Sequence, residues 1–361
     1  MIVIIHPFLD KYGGAERKML LLLQSLTQRH EDTIIITKSY DPRFSDYLES
    51  AGLLTSRIVL ISSSRLWTWI TKAAFFIARL KNLRVIFASN YPANIVASLA
   101  KLLSPCTPRL IWMCNEVSSA VNSRDLLKSS IFSSVERWSL KSFDTILCNS
   151  EATSKSLMNT YSIRSQGIIY SGIDTRLFDK YYYPETTSPV LERTIDYLYL
   201  GRIERHKNIE VLTRLARKQP NSKVVVVGSG EFLEEFRNIS KPNKNIEFTG
   251  SVSHKDKTLM LSQAKVLLFP SKNEPLGVVV MEAIYCGCHV IAFSSGGPRE
   301  IILKVGSGTL VSSDNDFINA AISSPTFPLS LSEITNNRIK IRKYFSSTVM
   351  TTHMINAILT A

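Results

Sequence analysis

The chain has 361 residues, of which 45% are hydrophobic and 20% charged, and its formal net charge is +13. A length of this order favours two domains with cores of their own, and the composition excludes a disordered or fibrous protein. The basic excess predicts an anionic partner such as a phosphorylated substrate or an acidic lipid surface; nucleic acid is not expected, because zinc-finger spacing, an aromatic RNA-binding signature and dense Lys/Arg tracts are absent from the sequence.

The chain opens with an apolar, β-branched run at residues 2–5 that lacks the basic start and cleavage site of a signal peptide. We interpret this run as a buried strand. Since no 18 uncharged apolar residues run together, we expect no transmembrane helix and a cytoplasmic protein. Five cysteines without zinc-ribbon spacing are typical of reduced thiols. For Cys286 and Cys288 we favour two small core residues that flank a turn, with a metal or redox site as the alternative.

Short β-branched runs alternate with longer helical patterns, which is typical of βαβ units around a parallel sheet. A first series of strand candidates covers residues 2–5, 33–37, 84–88, 109–113, 145–148 and 167–170, with helical patterns over 16–29 and 129–143. A second series covers residues 197–200, 223–227, 246–248, 266–269, 289–292 and 308–311. The two series predict two parallel sheets.

The break between the two series lies at residues 180–193, where two prolines and clustered polar residues interrupt both periodicities. We therefore predict an N-terminal domain over 1–182, a linker over 183–194 and a C-terminal domain over 195–345. The final stretch, 346–361, is amphipathic. It is predicted to form a helix that packs back on the N-terminal domain.

Aromatic and basic residues interleave over a helical length at residues 65–81. Such a helix can lie in a bilayer interface, with its rings near the head groups and its cations on acidic lipid. A core helix with snorkelling cations is an equal alternative. Together with the net positive charge, the pattern leads us to favour peripheral contact with the cytoplasmic face of an anionic membrane.

An acid pair flanks the start of a predicted helix in the second half of the chain. Glu274 lies in the loop after the strand 266–269, Pro275 suits the first position of a helix, and Glu282 lies further along it. A helix start favours an anion, and the pair spans at most about 12 Å, roughly the reach from a donor sugar across a diphosphate to a ribose. A pair of solvated helix charges is the alternative.

Two cations, Arg202 and Lys207, follow the first strand of the second series, at the end where open parallel sheets bind ligands. At an effective dielectric constant near 20, a charge pair at 4 Å contributes about 4 kcal/mol, so cations beside a diphosphate can replace a metal ion. A basic surface turn is the alternative.

Gly13 and Gly14 follow the first strand and open a helical pattern. Glycine lets the backbone approach a ligand without a Cβ in the way, although a tight turn explains both residues equally well. Taken together, these three segments resemble the retaining family 4 glycosyltransferases of the GT-B fold in their order, context and acid spacing. The resemblance covers most of the chain.

This resemblance implies an α/β protein in which the parallel sheets of two Rossmann-like domains face an interdomain cleft. It implies a hexosyltransferase, with mannose among the candidate sugars, that uses a GDP- or UDP-linked donor and a glycan or lipid-linked acceptor in surface polysaccharide or glycoconjugate biosynthesis. Retention of configuration is expected, and no metal or other cofactor. A non-catalytic sugar-nucleotide-binding assembly subunit and a GT-B sugar-nucleotide epimerase are the alternatives.

By the same resemblance, Arg202 and Lys207 bind the donor phosphates, Glu274 contacts the transferred sugar, and Glu282 holds the ribose. The other residues expected to bind the donor are Gly13, Gly14, Gly230, Val252, Leu276, Gly277 and Val278. Many family members carry a histidine in the first domain near the reacting sugar, where this chain has Asn115. Asn115 can hydrogen-bond a sugar hydroxyl but cannot titrate, so it is not the proton acceptor.

Asp314-Asn315-Asp316 mimics the D-x-D motif that binds metal and sugar nucleotide in the other major glycosyltransferase fold. The motif precedes helical residues, so we interpret it as a helix cap. We predict no metal site.

Overall fold

The computed structural model of the chain describes residues 1–9, 14–41, 57–117, 134–181, 193–324 and 329–360. These residues form two compact units. The first consists of Met1–Ser171 together with Ser347–Ala361, and the second of Gly172–Ser346. Of the predicted linker 183–194, residues 183–192 lie outside the described residues.

The strands of the first unit are short and β-branched. They are β1 (Ile2–Ile5), β2 (Phe8–Leu9), β3 (Thr33–Thr37), β4 (Ser39–Tyr40), β5 (Ile58–Leu60), β6 (Val85–Ser89), β7 (Arg109–Cys114), β8 (Thr145–Cys148) and β9 (Gly167–Ile168). Seven of them form a parallel sheet in the order β5-β3-β1-β6-β7-β8-β9, and β2 pairs with β4. Runs such as Ile2–Ile5 are buried throughout because helices cover both faces of a parallel sheet.

Helices cover this first sheet on both faces. They are α1 (Gly14–Gln28), α2 (Leu66–Ala78), α3 (Ala93–Leu103), α4 (Glu151–Tyr161) and the last helix of the chain, α13 (Ser347–Leu359); residues 134–140 are also helical. On one face, Met350 and Met354 of α13 join Leu23 of α1 in a buried cluster. On the other, α2 and α3 pack together through small and branched side chains such as Ala73 and Val96.

The second unit repeats the same architecture with six parallel strands. They are β10 (Ile195–Leu200), β11 (Val224–Val227), β12 (Ile246–Gly250), β13 (Ala264–Phe269), β14 (His289–Phe293) and β15 (Thr309–Val311), in the sheet order β12-β11-β10-β13-β14-β15. Its helices are α5 (Thr175–Tyr181), α6 (Val211–Lys218), α7 (Leu233–Ser240), α8 (His254–Gln263), α9 (Val278–Tyr285), α10 (Gly296–Val305), α11 (Asp314–Ser323) and α12 (Leu331–Phe345), with a 3-10 turn at Arg205–Lys207. Both predicted series of strands are therefore present.

The first unit ends at Ser171, before the predicted domain end at 182. Helix α5 belongs to the second unit because Asp179 accepts a hydrogen bond from the Tyr285 hydroxyl at 2.6 Å and pairs with Arg342 at 3.0 Å. Ile173 also forms a β-bridge with Ser346.

Among the helices that the described residues form, none has the length and apolar character needed to cross a bilayer.

Candidate functional site

The predicted cations and acids lie at the carboxyl edge of the second sheet. Strand β10 pairs with β11 on one side and with β13 on the other, so the loops that follow these three strands emerge side by side. Arg202 and Lys207 follow β10, and Glu274 follows β13. This edge of an open parallel sheet is where ligands bind.

Lys207 and Glu274 form an ion pair at this edge. The Lys207 Nζ donates to Glu274 Oε2 at 2.6 Å, and the two side chains are only 12% and 19% exposed. Lys207 ends the 3-10 turn, and the left-handed Asn208 (φ 56°) closes it. The structure therefore brings together two of the predicted site residues that are far apart in the sequence.

Arg202 lies on the same loop but is 69% exposed, and its Nη1 donates to Glu204 Oε1 at 2.6 Å. The buried Tyr199 interacts electrostatically with this pair and with Glu274. Burial raises the pKa of Tyr199 well above its ordinary value, the negative charges of Glu274 and Glu204 raise it further, and Arg202 opposes them. Tyr199 also donates to the Arg202 carbonyl at 2.7 Å, so it fixes the loop that carries the guanidinium.

The backbone of the Glu274 loop is held by the first residues of α10, the helix that follows β14. Gly297 donates its N–H to the Glu274 carbonyl at 2.9 Å. A Cβ on Gly297 would lie 2.2 Å from Leu276 Cα, and one on Gly296 would lie 2.4 Å from the Glu274 oxygen, so only glycine permits this approach. The backbone of Leu276 and Gly277, which leads into α9, is consequently held in one conformation.

The first turn of α9 directs backbone N–H groups and the positive end of the helix dipole toward this loop. Gly277 is the N-cap residue, and Val278 is the first residue of the helix. A phosphate or sugar hydroxyl placed beside Glu274 would meet these N–H groups together with the Lys207 ammonium. The arrangement is suited to an anion that carries a neutral, hydroxyl-rich substituent.

Glu282 lies further along α9 and is 7% exposed. Its Oε1 accepts a hydrogen bond from the Lys257 Nζ at 2.6 Å, and Lys257 lies over the Phe178 ring at 5.6 Å. Lys257 was not predicted as a partner of Glu282, because it comes from a separate helix, α8. The carboxylate is thus held in place by a cation.

Gly230 has a packing role in this structure. A Cβ at this position would lie 2.2 Å from the Ile203 carbonyl oxygen, so glycine lets the loop after β11 approach the loop after β10. Val252 lies after β12 and is half-buried. That Gly230 and Val252 bind the donor stays a prediction.

The D-x-D sequence lies at the start of α11. Ser313 is the N-cap residue, and its hydroxyl accepts the Asp316 N–H at 3.1 Å. Asp314 pairs with Lys272 at 2.9 Å and with Arg214 at 3.5 Å. Asp316 therefore takes part in the cap of the helix, and Asp314 forms ion pairs with two cations. In the described part of the chain, no three His, Cys, Asp or Glu side chains are grouped to hold a metal ion.

Cys286 and Cys288 are free, fully buried thiols on either side of the Gly287 turn at the end of α9. Burial raises the pKa of Cys286 well above its ordinary value and that of Cys288 to about 12. Protonated thiols in an apolar environment pack as small core residues, as the sequence analysis favoured.

In the first unit, Asn115 follows β7 at the carboxyl edge of the sheet. Its Nδ2 donates to Asn90 Oδ1 at 2.7 Å and to Ser89 Oγ at 3.2 Å, and its Oδ1 accepts from the Lys18 Nζ at 2.6 Å. The Asn115 carbonyl accepts from Asn149 Nδ2 at 2.9 Å. This network was not predicted, because its members come from four separate segments of the chain.

Of the two glycines of the first unit that are predicted to bind the donor, Gly14 is among the described residues. Gly13 lies outside the described residues, and Gly14 is the first residue of α1. Their predicted contact with the donor stays a prediction.

Both halves of the chain match family models. The model described as Glycosyl transferases group 1 matches residues 188–324, and the model described as Glycosyltransferase Family 4 matches residues 12–177. Alpha-1,3/1,6-mannosyltransferase ALG2 of Mus musculus is 24% identical over 87% of this chain and 84% of its own length. ALG2 of Saccharomyces cerevisiae is 23% identical over 97% of this chain and 82% of its own length.

Solved structures show the same fold. The chain superposes on Anabaena HepE in complex with UDP and glucose with a TM-score of 0.76 and 16% identity, covering 100% of this chain and 99% of that one. The expectation of two Rossmann-like units of the GT-B type is confirmed.

Proposed function

Because the chain belongs to the family 4 glycosyltransferases of the GT-B fold, we propose that it transfers mannose from a nucleotide-diphosphate donor, with retention, onto a lipid-linked glycan acceptor. The observation that carries the proposal is the Lys207–Glu274 ion pair beside the start of α9. Mannose is proposed because relatives that align over most of the chain are alpha-1,3/1,6-mannosyltransferases. A product of this kind serves surface polysaccharide or glycoconjugate biosynthesis.

In this proposal the donor lies along the carboxyl edge of the second sheet, from Lys207 to Glu282. Lys207 and Arg202 neutralise the diphosphate, the N–H groups of Leu276, Gly277 and Val278 bind the phosphate or the sugar, and Glu274 accepts hydrogen bonds from sugar hydroxyls. Glu282 accepts from the ribose. Since each charge pair near 4 Å contributes about 4 kcal/mol at an effective dielectric constant near 20, these cations stabilise the departing diphosphate without a metal ion.

The proposed reaction proceeds on one face of the sugar. The bond from the anomeric carbon to the diphosphate oxygen breaks as the acceptor hydroxyl attacks from the same side, and the departing phosphate oxygen takes the hydroxyl proton. No covalent enzyme intermediate is required. Asn115 contributes a hydrogen bond to a sugar hydroxyl and takes no part in proton transfer, since an amide does not titrate.

Nucleoside diphosphates are expected to raise the melting temperature of the protein. A ligand at 100 times its dissociation constant adds about 2.7 kcal/mol to the free energy of unfolding. Of the two nucleotides we propose GDP, so GDP should raise Tm more than UDP at equal concentration, and EDTA should leave the rise unchanged. Differential scanning fluorimetry measures both.

The control for this experiment is the unphosphorylated nucleoside, which lacks the group that the cations recognise. A larger rise with UDP would contradict the GDP assignment. A rise that EDTA removes would contradict metal-independent binding.

Helix α2 carries an exposed surface that suits a membrane. Its apolar face is buried in the first unit, while Trp67, Phe75 and Phe76 are 57%, 51% and 38% exposed. The Arg79 guanidinium lies 3.9 Å from the centroid of the Phe75 ring, and Lys72 is exposed on the same helix. We call these five residues the α2 surface. Rings with neighbouring cations favour the interface of an acidic bilayer.

At the carboxyl end of α3, Leu102 and Leu103 add apolar surface and are 72% and 55% exposed. A groove lined by Phe75, Arg79, Lys81 and Leu103 joins the ends of the two helices. We propose that this side of the first unit lies on the cytoplasmic face of an anionic membrane and gives access to the lipid-linked acceptor.

Replacing all three aromatic residues of the α2 surface by serine is expected to weaken vesicle binding at least tenfold. Burying one large apolar side chain contributes about 1.5–3 kcal/mol, so even partial insertion of the three rings into the bilayer accounts for a tenfold difference in vesicle affinity. Co-sedimentation with vesicles that contain acidic lipid measures it. The matched control is Leu303→Ser/Leu331→Ser/Ile339→Ser, three residues with 56%, 61% and 57% exposure in the second unit. Equal binding by both triple variants would contradict the membrane proposal.

A further inference from the structure

Lys18 is a lysine buried inside the first unit. It lies on α1, its side chain is 4% exposed, and its Nζ donates to Asn115 Oδ1 at 2.6 Å and to Ser171 Oγ at 2.7 Å. Burial lowers the pKa of Lys18 to about 7, and the negative charge of Glu16 on the same helix opposes this shift. An ammonium group at such a position costs free energy that an apolar side chain of similar length would not cost.

The lysine determines how the Asn115 amide is oriented. A lysine ammonium only donates hydrogen bonds, so the oxygen of the Asn115 carboxamide must face Lys18 and its nitrogen must face the opposite side. On that opposite side, the Asn115 Nδ2 donates hydrogen bonds to Asn90 Oδ1 at 2.7 Å and to Ser89 Oγ at 3.2 Å. Among the described residues, the donor to the Asn115 oxygen is Lys18, and the second acceptor position of that oxygen can take a hydroxyl.

The elements that carry this network place it where a ligand binds. Ser89 ends β6, Asn115 follows β7 and Ser171 follows β9, and these strands all end at the carboxyl edge of the first sheet. Lys18 reaches this edge from α1, and its partners from the other elements, Asn115 and Ser171, are uncharged. The Asn115 oxygen is therefore held by Lys18 at the ligand-binding edge.

We propose that Lys18 is a positioning residue for sugar transfer, which holds the Asn115 carboxamide so that its oxygen accepts a hydrogen bond from a hydroxyl of the reacting sugar. The inference rests on the proposed function, because it requires a sugar substrate at Asn115. Without Lys18, the amide can turn or tilt. A small misplacement of a group that orients the substrate lowers the rate of reaction strongly.

A double-mutant cycle tests this inference, with the variants Lys18→Met, Asn115→Ala and the two combined. Lys18→Met is expected to lower kcat about tenfold with the donor KM unchanged, and to lower it no further once Asn115 is already alanine. A purely structural lysine would give equal losses in both backgrounds. That additive result, or a Lys18→Met variant with the kcat of the unmodified protein, would overturn the proposal.

Two controls complete the cycle. Lys101→Met removes another lysine of the first unit, one that pairs with Asp144 at 2.9 Å, and is expected to leave kcat unchanged. Circular dichroism and Tm establish that each variant folds, and Lys18→Leu replaces Lys18→Met in the cycle if the methionine variant does not. An unmodified protein that turns over no nucleotide sugar would instead overturn the proposed function itself.

Discussion

Glu274→Ala is expected to lower kcat for sugar transfer by at least two orders of magnitude, which is about the loss seen when one preorganised polar group is removed from an active site. The carboxylate lies 2.6 Å from the Lys207 Nζ, in a loop that Gly297 fixes by its backbone. In our proposal it binds hydroxyls of the sugar as positive charge develops at the anomeric carbon. The variant should still bind a nucleoside diphosphate, because the cations and the start of α9 are intact.

The matched control is Glu247→Ala, which removes an acid of the same unit that pairs with Lys223 at 3.0 Å and is 56% exposed. It should have the kcat of the unmodified protein. Donor turnover is measured with and without acceptor. Turnover without acceptor would indicate an epimerase, and nucleotide binding with no turnover would indicate an assembly subunit. Full transfer by Glu274→Ala would refute the assignment of its role.

Local patterns in the sequence were sufficient to predict the sheets. Runs such as Ile2–Ile5 and Val224–Val227 are short, β-branched and buried on both faces, which is what a central parallel strand requires. Strand β5 (Ile58–Leu60) was not predicted, because it has three residues and the last is exposed. A strand of that length at a sheet edge has too little periodicity to stand out from a loop.

The convergence of Lys207 and Glu274 was predictable for a related reason. Each follows a strand of a parallel sheet, and the carboxyl ends of such strands meet at one edge. The sequence could not show that β10 and β13 would be adjacent, but a ligand-binding edge was expected to collect residues from several loops.

The supporting residues could not be predicted, since their partners lie far away in the chain. Tyr199, Lys257 and Lys18 look like an ordinary strand residue and two ordinary helix residues in the sequence. Their importance depends on distances to Glu274, Glu282 and Asn115 that only the folded chain defines. A lysine within the apolar pattern of α1 was a weak signal, because lysine commonly extends its ammonium group to solvent.

Lys207→Met is expected to weaken the binding of nucleoside diphosphate about tenfold to a hundredfold and to lower kcat/KM by more than that. A hydrogen bond to a charged group contributes about 1.5–3 kcal/mol, and each 1.4 kcal/mol is about a factor of ten in affinity. The additional loss in kcat/KM arises because negative charge on the diphosphate grows as it departs. Isothermal titration calorimetry and initial rates measure the two effects.

Two comparisons separate the loss of a phosphate contact from damage to the loop. Arg205→Met removes a cation of the same turn that pairs with Glu235 and is 64% exposed, so it should bind like the unmodified protein. Lys207→Met/Glu274→Gln removes the ion pair without leaving the Glu274 carboxylate unpaired, and should bind the diphosphate no more weakly than Lys207→Met alone. Because the proposed contact is with phosphate, Lys207→Met should leave the weaker affinity for the bare nucleoside unchanged. An equal loss for nucleoside and diphosphate would mean that Lys207 only maintains the shape of the loop.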